Sequence, residues 1–64
     1  MKIYELFETE LINDYIEIFI RDEDSFHVIA HGNWYQDNIL NYTQKEIQSF
    51  TWQNDNTIYI DIKE

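Results

Sequence analysis

The sequence predicts one small α+β domain over residues 1–64, ordered helix–strand–strand–helix–strand–strand, with a four-stranded antiparallel sheet and two short helices on one face. Three observations carry this expectation. Isoleucines alternate with outward residues at Ile16, Ile18 and Ile20 and again at Ile58, Ile60 and Ile62, the period-two mark of strands with one buried face. Two other segments space their apolar residues by three and four, as a helix does. Clusters of Asp, Asn and Ser separate the strands, residues that favour turns because their side chains bond the backbone locally.

The first helix is expected over Ile3 to Leu11, where Ile3, Leu6, Phe7 and Leu11 share a stripe and Glu5, Glu8 and Glu10 lie outside it. Glu5 and Glu8 also suit the positive end of the helix dipole. Asn13-Asp14 ends the helix. Tyr15 to Asp22 forms the first strand, Asp22-Glu23-Asp24-Ser25 a turn, and Phe26 to Asn33 the second strand, with Phe26, Val28 and Ala30 inward. Trp34 to Thr43 is a second helix carrying Tyr35, Ile39 and Tyr42, capped by Asn33. Glu46 to Gln53 is the third strand with Phe50 and Trp52 on its buried face. Asn54-Asp55-Asn56 turns the chain into the last strand, Thr57 to Lys63.

The two halves repeat this pattern at an offset of 32 residues, Ile18 falling on Phe50, Ile20 on Trp52, Phe26 on Ile58 and Val28 on Ile60. Few positions are identical, so the repeat is one of pattern. It assigns Phe7, Phe26, Phe50 and Trp52 to the core. The other sheet face is left open, with Tyr15, Glu17, Phe19, Arg21, Ile29, Tyr59 and Asp61 on it. Two readings of that face stay open. Apolar groups rimmed by carboxylates mark an interaction surface, whereas cross-strand aromatic pairs stabilise a sheet by about 0.2–1 kcal/mol each without any partner.

Thirteen Asp and Glu oppose four Lys and Arg, a net charge of −9, in a chain that also holds eleven Phe, Tyr and Trp. Disordered acidic tails lack aromatics, so this is an acidic surface on a folded frame. Eight of the acids precede Ser25. The sign opposes direct contact with nucleic acid or anionic membrane. There is no Cys, hence no disulfide or thiolate metal site. No apolar run approaches the ~20 residues of a membrane span. No apolar h-region follows Met1-Lys2, so a soluble, cytoplasmic protein is expected.

Catalytic and metal signals are weak. His27 and His31 are four apart on an expected strand, which separates them by ~13 Å at about 3.3 Å per residue. That is too far for two ligands of one zinc, each ~2 Å from the metal, and a surface role is the better account. Asp22-Glu23-Asp24 lacks the glycine and the distant bidentate Glu of a calcium loop. Ser25 and Ser49 are the only serines, and neither sits in a glycine-flanked elbow. A chain this short also leaves little room for a pocket of ~300 Å³. The expectation is therefore a non-enzymatic protein without metal or cofactor. Exposed aromatics on a sheet can stack bases, but such platforms come with a positive groove. Mimicry of nucleic acid fits this sign better.

The segments "KIYELFE", "IEIFIRDEDS" and "IQSFTWQNDNTIYIDI" resemble very short acidic proteins encoded by phages and prophages of low-GC Gram-positive bacteria. The resemblance spans most of the chain and consists of pattern and turn chemistry. It implies a mobile-element origin, hence the host cytoplasm as location, and a host protein as partner, and it carries over no functional residues. Small acidic phage proteins include anti-CRISPR proteins and DNA mimics. The expected function is inhibition or modulation of a basic, nucleic-acid-binding host protein. Glu17, Asp22, Glu23, Asp24 and Asp61 would supply the field, and Tyr15, Phe19 and Tyr59 the apolar anchors. The alternative is a small structural or assembly protein that forms a homodimer, or a higher homo-oligomer, through its open sheet face.

Overall fold

A computed structural model describes residues 1–63. The elements follow the expected order: α1 (Ile3–Phe7), β1 (Glu17–Asp22), β2 (Val28–Gly32), α2 (Asp37–Leu40), β3 (Ile47–Asn54) and β4 (Thr57–Ile62). They form a small α+β domain with one four-stranded sheet of order β2-β1-β4-β3.

The sheet is mixed, which corrects the all-antiparallel expectation. β1 pairs with β2 and β4 with β3 as antiparallel hairpins, but β1 and β4 run parallel, with Ile18 beside Ile58 and Ile20 beside Ile60. The ladder extends past both ends: Glu17 N–H donates to Asn56 O at 2.7 Å and Glu23 N–H to Ile62 O at 2.8 Å. The two strands richest in inward isoleucine thus occupy the middle, where each is flanked on both sides. Ile18, Ile20, Ile58, Ile60 and Ile62 are fully buried and join one cluster with Ile3, Leu6, Ile12, Ile16, Ala30 and Ile39.

Both helices are shorter than the apolar spacing suggests. α1 starts well, because the Glu5 carboxylate returns to the Lys2 N–H at 2.8 Å and holds an otherwise orphaned donor. It ends when Thr9 turns both its N–H (3.1 Å) and its hydroxyl (2.7 Å) onto the Leu6 carbonyl. Ile12 then fills the core, and Leu11 is left exposed. α2 begins after Gln36, not after Asn33. The Asn33 side chain instead donates to the carbonyls of Asp14 (3.1 Å) and Ile16 (3.2 Å), tying the α2 approach to the entry of β1.

The aromatic core assignments are largely overturned. Phe7 is half-buried against the cluster. Phe26 lies outside β2, exposed, with a positive φ of 58°. A bulge between Ile20 and Arg21 of the β1–β2 pair sets Val28 opposite Arg21, so Val28 is exposed while Ile29 packs on the core. Phe50 and Trp52 stand opposite Ile60 and Ile58 and so share the isoleucine side of the sheet, as the alternation requires. They remain 40% and 37% exposed all the same, because β3 is an edge strand that the short helices do not cover. Positions equivalent in the 32-residue repeat therefore have different surroundings.

Candidate functional site

The residues singled out in the sequence fall into three environments. Phe19, Arg21, Tyr59 and Asp61 share the face opposite the isoleucines, as the parallel register dictates: Phe19 lies beside Tyr59 and Arg21 beside Asp61. Asp61 is 4% exposed. Arg21 holds it with two bonds, Nε to Oδ1 at 2.8 Å and Nη2 to Oδ2 at 3.1 Å, and the Ser49 hydroxyl donates to Oδ2 at 3.2 Å. A bidentate guanidinium is the geometry that best satisfies a buried carboxylate. Asp61 thus faces inward onto its partners.

Aromatic rings enclose this pair. The guanidinium carbon of Arg21 lies 4.4 Å from the Tyr59 ring centre and 4.9 Å from that of Phe26, within cation–π range. Phe19 meets Tyr59 edge-on at 5.3 Å and stacks on His31 at 5.4 Å. Phe19 and Tyr59 are half-buried by these contacts. They make a firm floor with little free surface, so on this face the pairing reading and the interface reading draw on the same rings.

The acidic turn is the second environment. The Asp22 carboxylate accepts the Asp24 N–H at 3.2 Å and the Ser25 hydroxyl at 3.2 Å, a local Asx-type turn. Its backbone carbonyl accepts the Phe26 N–H at 2.8 Å, and Phe26 adopts a left-handed conformation at the end of this turn. Asp24 is exposed and Glu23 half-buried. Glu17 is exposed at the opposite end of β1. Tyr15 precedes β1, 84% exposed, in a turn where its N–H donates to Asn13 Oδ1 at 2.9 Å. The face therefore carries Glu17 at one end and the acidic turn at the other, with the Phe19–Tyr59 rings between them and the Arg21–Asp61 pair beside the turn.

The third environment was not anticipated. An open groove of about 510 Å³ runs between the segment after α1 and the β3–β4 turn, with Leu11, Ile16 and Trp52 as apolar lining and Glu10 and Asp55 among its polar residues. It exceeds the space expected of so short a chain. The signal for it lay in the sequence as Leu11 at the fraying end of the α1 stripe and in the polar make-up of β3, which suits an edge strand.

Among the described residues no group of three or more His, Asp or Glu is arranged to hold a metal ion, and no helix is long and apolar enough to cross a membrane. What fold and site define together is a small α+β domain with a mixed sheet, a neutralised aromatic centre and an acidic periphery. No protein-family model, curated protein or solved structure matches the chain.

Proposed function

We propose that this chain is a non-enzymatic acidic binding protein that docks on a basic, nucleic-acid-binding protein and inhibits or modulates it, in the manner of a DNA mimic. The resemblance to short acidic phage and prophage proteins makes that partner a host protein, with defence components such as CRISPR machinery among the candidates. The observation that carries the reading is where the one arginine goes. Arg21 is consumed by buried Asp61, so it does not offset the exposed carboxylates Glu17 and Asp24 at the two ends of the same strand and its turn. Exposed Tyr15 adds an apolar contact near Glu17. Charge of one sign steers a basic partner to the surface, and aromatic contact holds it once water is displaced.

Immobilised protein, exposed to a Gram-positive cell lysate, is the test. Basic nucleic-acid-binding proteins should be retained at low salt and released both by high salt and by added duplex DNA. Glu17→Lys with Asp24→Lys should abolish retention and leave the far-UV circular dichroism unchanged. Asp22 is spared in this design because its carboxylate builds the turn. Retention of no basic protein at either salt removes the reading.

A further inference from the structure

We propose that two copies of this chain associate through the free edge of β3, antiparallel about a two-fold axis at Thr51. Each edge of the sheet must be closed or blunted, because unpaired strand edges recruit other strands. The β2 edge is partly closed: Asn38 Nδ2 donates to the His31 carbonyl at 2.8 Å. The β3 edge is closed only at its start, where Ile47 N–H donates to the Met1 carbonyl at 2.7 Å and Lys2 bridges Glu46. From Gln48 to Asn54 it has no strand partner on that side among the described residues.

Bulges at Gln48 and Gln53 interrupt that stretch near its two ends, but the run between them has no charge or proline to block pairing. It contains no Pro, Lys, Arg, Asp or Glu in a chain of net charge −9. The stretch itself carries no carboxylate, whereas the central strands carry Glu17, Asp22 and Asp61; Glu10 and Asp55 line the groove on one side of Trp52. Within the regular run from Ser49 to Trp52, Thr51 lies between the two exposed rings of Phe50 and Trp52. A two-fold axis there sets Phe50 of one copy beside Trp52 of the other, twice, on one face of a continuous sheet. Both rings are partly exposed in the single chain, and aromatic cross-strand pairs stabilise such a ladder. An isologous contact of this kind closes on itself and ends at the dimer.

The chain exposes 4221 Å². A standard interface takes about 800 Å² from each partner, and a seven-residue edge covers less, so the dimer is of the weak, concentration-dependent class. This inference is independent of the proposed function, since neither Glu17 nor Asp24 belongs to β3.

The absence of native cysteine makes the test direct. Sedimentation equilibrium over a range of concentrations should show a monomer–dimer equilibrium. Trp52→Lys should weaken it by about thirtyfold or more, as loss of a tryptophan anchor does, with an unchanged circular dichroism spectrum. Thr51→Cys should oxidise to a covalent dimer, because facing Cα atoms in an antiparallel pair lie about 4.5–5.5 Å apart, within disulfide reach. Ser25→Cys, in the distant β1–β2 turn, should not. A protein that stays monomeric at millimolar concentration overturns the proposal. So does a dimer that Trp52→Lys leaves intact and Tyr15→Lys disrupts, which places the contact on the open sheet face. A monomeric Trp52→Lys variant that still captures a basic partner separates this inference from the functional one.

Discussion

Replacing Arg21 by Met keeps most of the apolar stem and removes the cation that Asp61 was buried against. The loss can be bounded from the structure. Exposed ion pairs contribute about 0–1 kcal/mol, whereas stripping the partner from a buried pair costs about 3–5 kcal/mol. Asp61 is 4% exposed, and the Arg21 side chain is 18% exposed. Some water therefore reaches the site once the guanidinium is gone, which puts the loss near the lower end of the buried range, about 3 kcal/mol. A 64-residue chain has a total stability of about 3–10 kcal/mol at ~0.05–0.15 per residue, so Arg21→Met should bring it close to unfolding. With a urea slope of about 1 kcal/mol per molar, the midpoint read by far-UV circular dichroism falls by about 3 M. Asp61→Asn should cost less, since an arginine that retains some exposure regains water. Arg21→Met with Asp61→Leu should recover most of the loss, because an apolar pair asks for no compensation in a buried site. A cost below about 1 kcal/mol for Arg21→Met would refute the buried-pair reasoning. A double variant no more stable than Arg21→Met alone would transfer the stabilisation to the ring contacts with Tyr59 and Phe26.

Two further substitutions test local features. Phe26 holds a left-handed backbone (φ 58°), a conformation costing about 1–2 kcal/mol outside glycine, while its ring over Arg21 returns about 0.5–1 kcal/mol. Phe26→Gly should therefore be close to neutral and Phe26→Ala less stable than Phe26→Gly by about 1 kcal/mol in the same urea assay; equal stabilities would show that the strain is already relieved. Asn33→Asp puts a carboxylate against the Asp14 and Ile16 carbonyls that now receive the amide, so it should be less stable than Asn33→Ala, which loses only the donors, about 1–3 kcal/mol; the reverse order of melting temperatures would exclude those bonds as the reason Asn33 sits there.

The parts of this fold legible in the sequence are those set by neighbours along the chain. Alternation at Ile18 and Ile20 and at Ile58 and Ile60 located β1 and β4 and their inward faces. The Asp22-to-Ser25 and Asn54-to-Asn56 clusters located both hairpins. The face of β3 was also legible, since Phe50 and Trp52 do oppose Ile60 and Ile58. Burial was not. Alternation tells which side a residue faces, while burial depends on what lies above that side, and the α1 stripe predicted a helix reaching Leu11 that the structure ends at Phe7. The candidate site divides the same way. Periodicity put Asp61 on the face with Arg21, but only the β1–β4 register shows that the two meet and neutralise each other.

That register is also the step that no local pattern supplies. A hairpin follows from a turn, but a parallel pair needs a long crossover, and here the connection from β1 to β4 contains β2, α2 and β3. What selects it is the distribution of apolar bulk. β1 and β4 each present fully buried isoleucines, and a strand with that face is best placed where both its edges are paired and its face is covered. β2, interrupted by a bulge, and β3, with Gln48, Ser49, Thr51, Gln53 and Asn54, have less to bury and go to the edges. The same sorting places charge. Carboxylates occupy the ends of β1 and its turn, the one arginine is drawn onto the carboxylate that the central position of β4 buries, and β3 is left without any charge. An acidic periphery and an uncharged edge are thus two consequences of a single arrangement, which is why the surface proposed for a basic partner and the surface proposed for a second copy do not compete for the same residues.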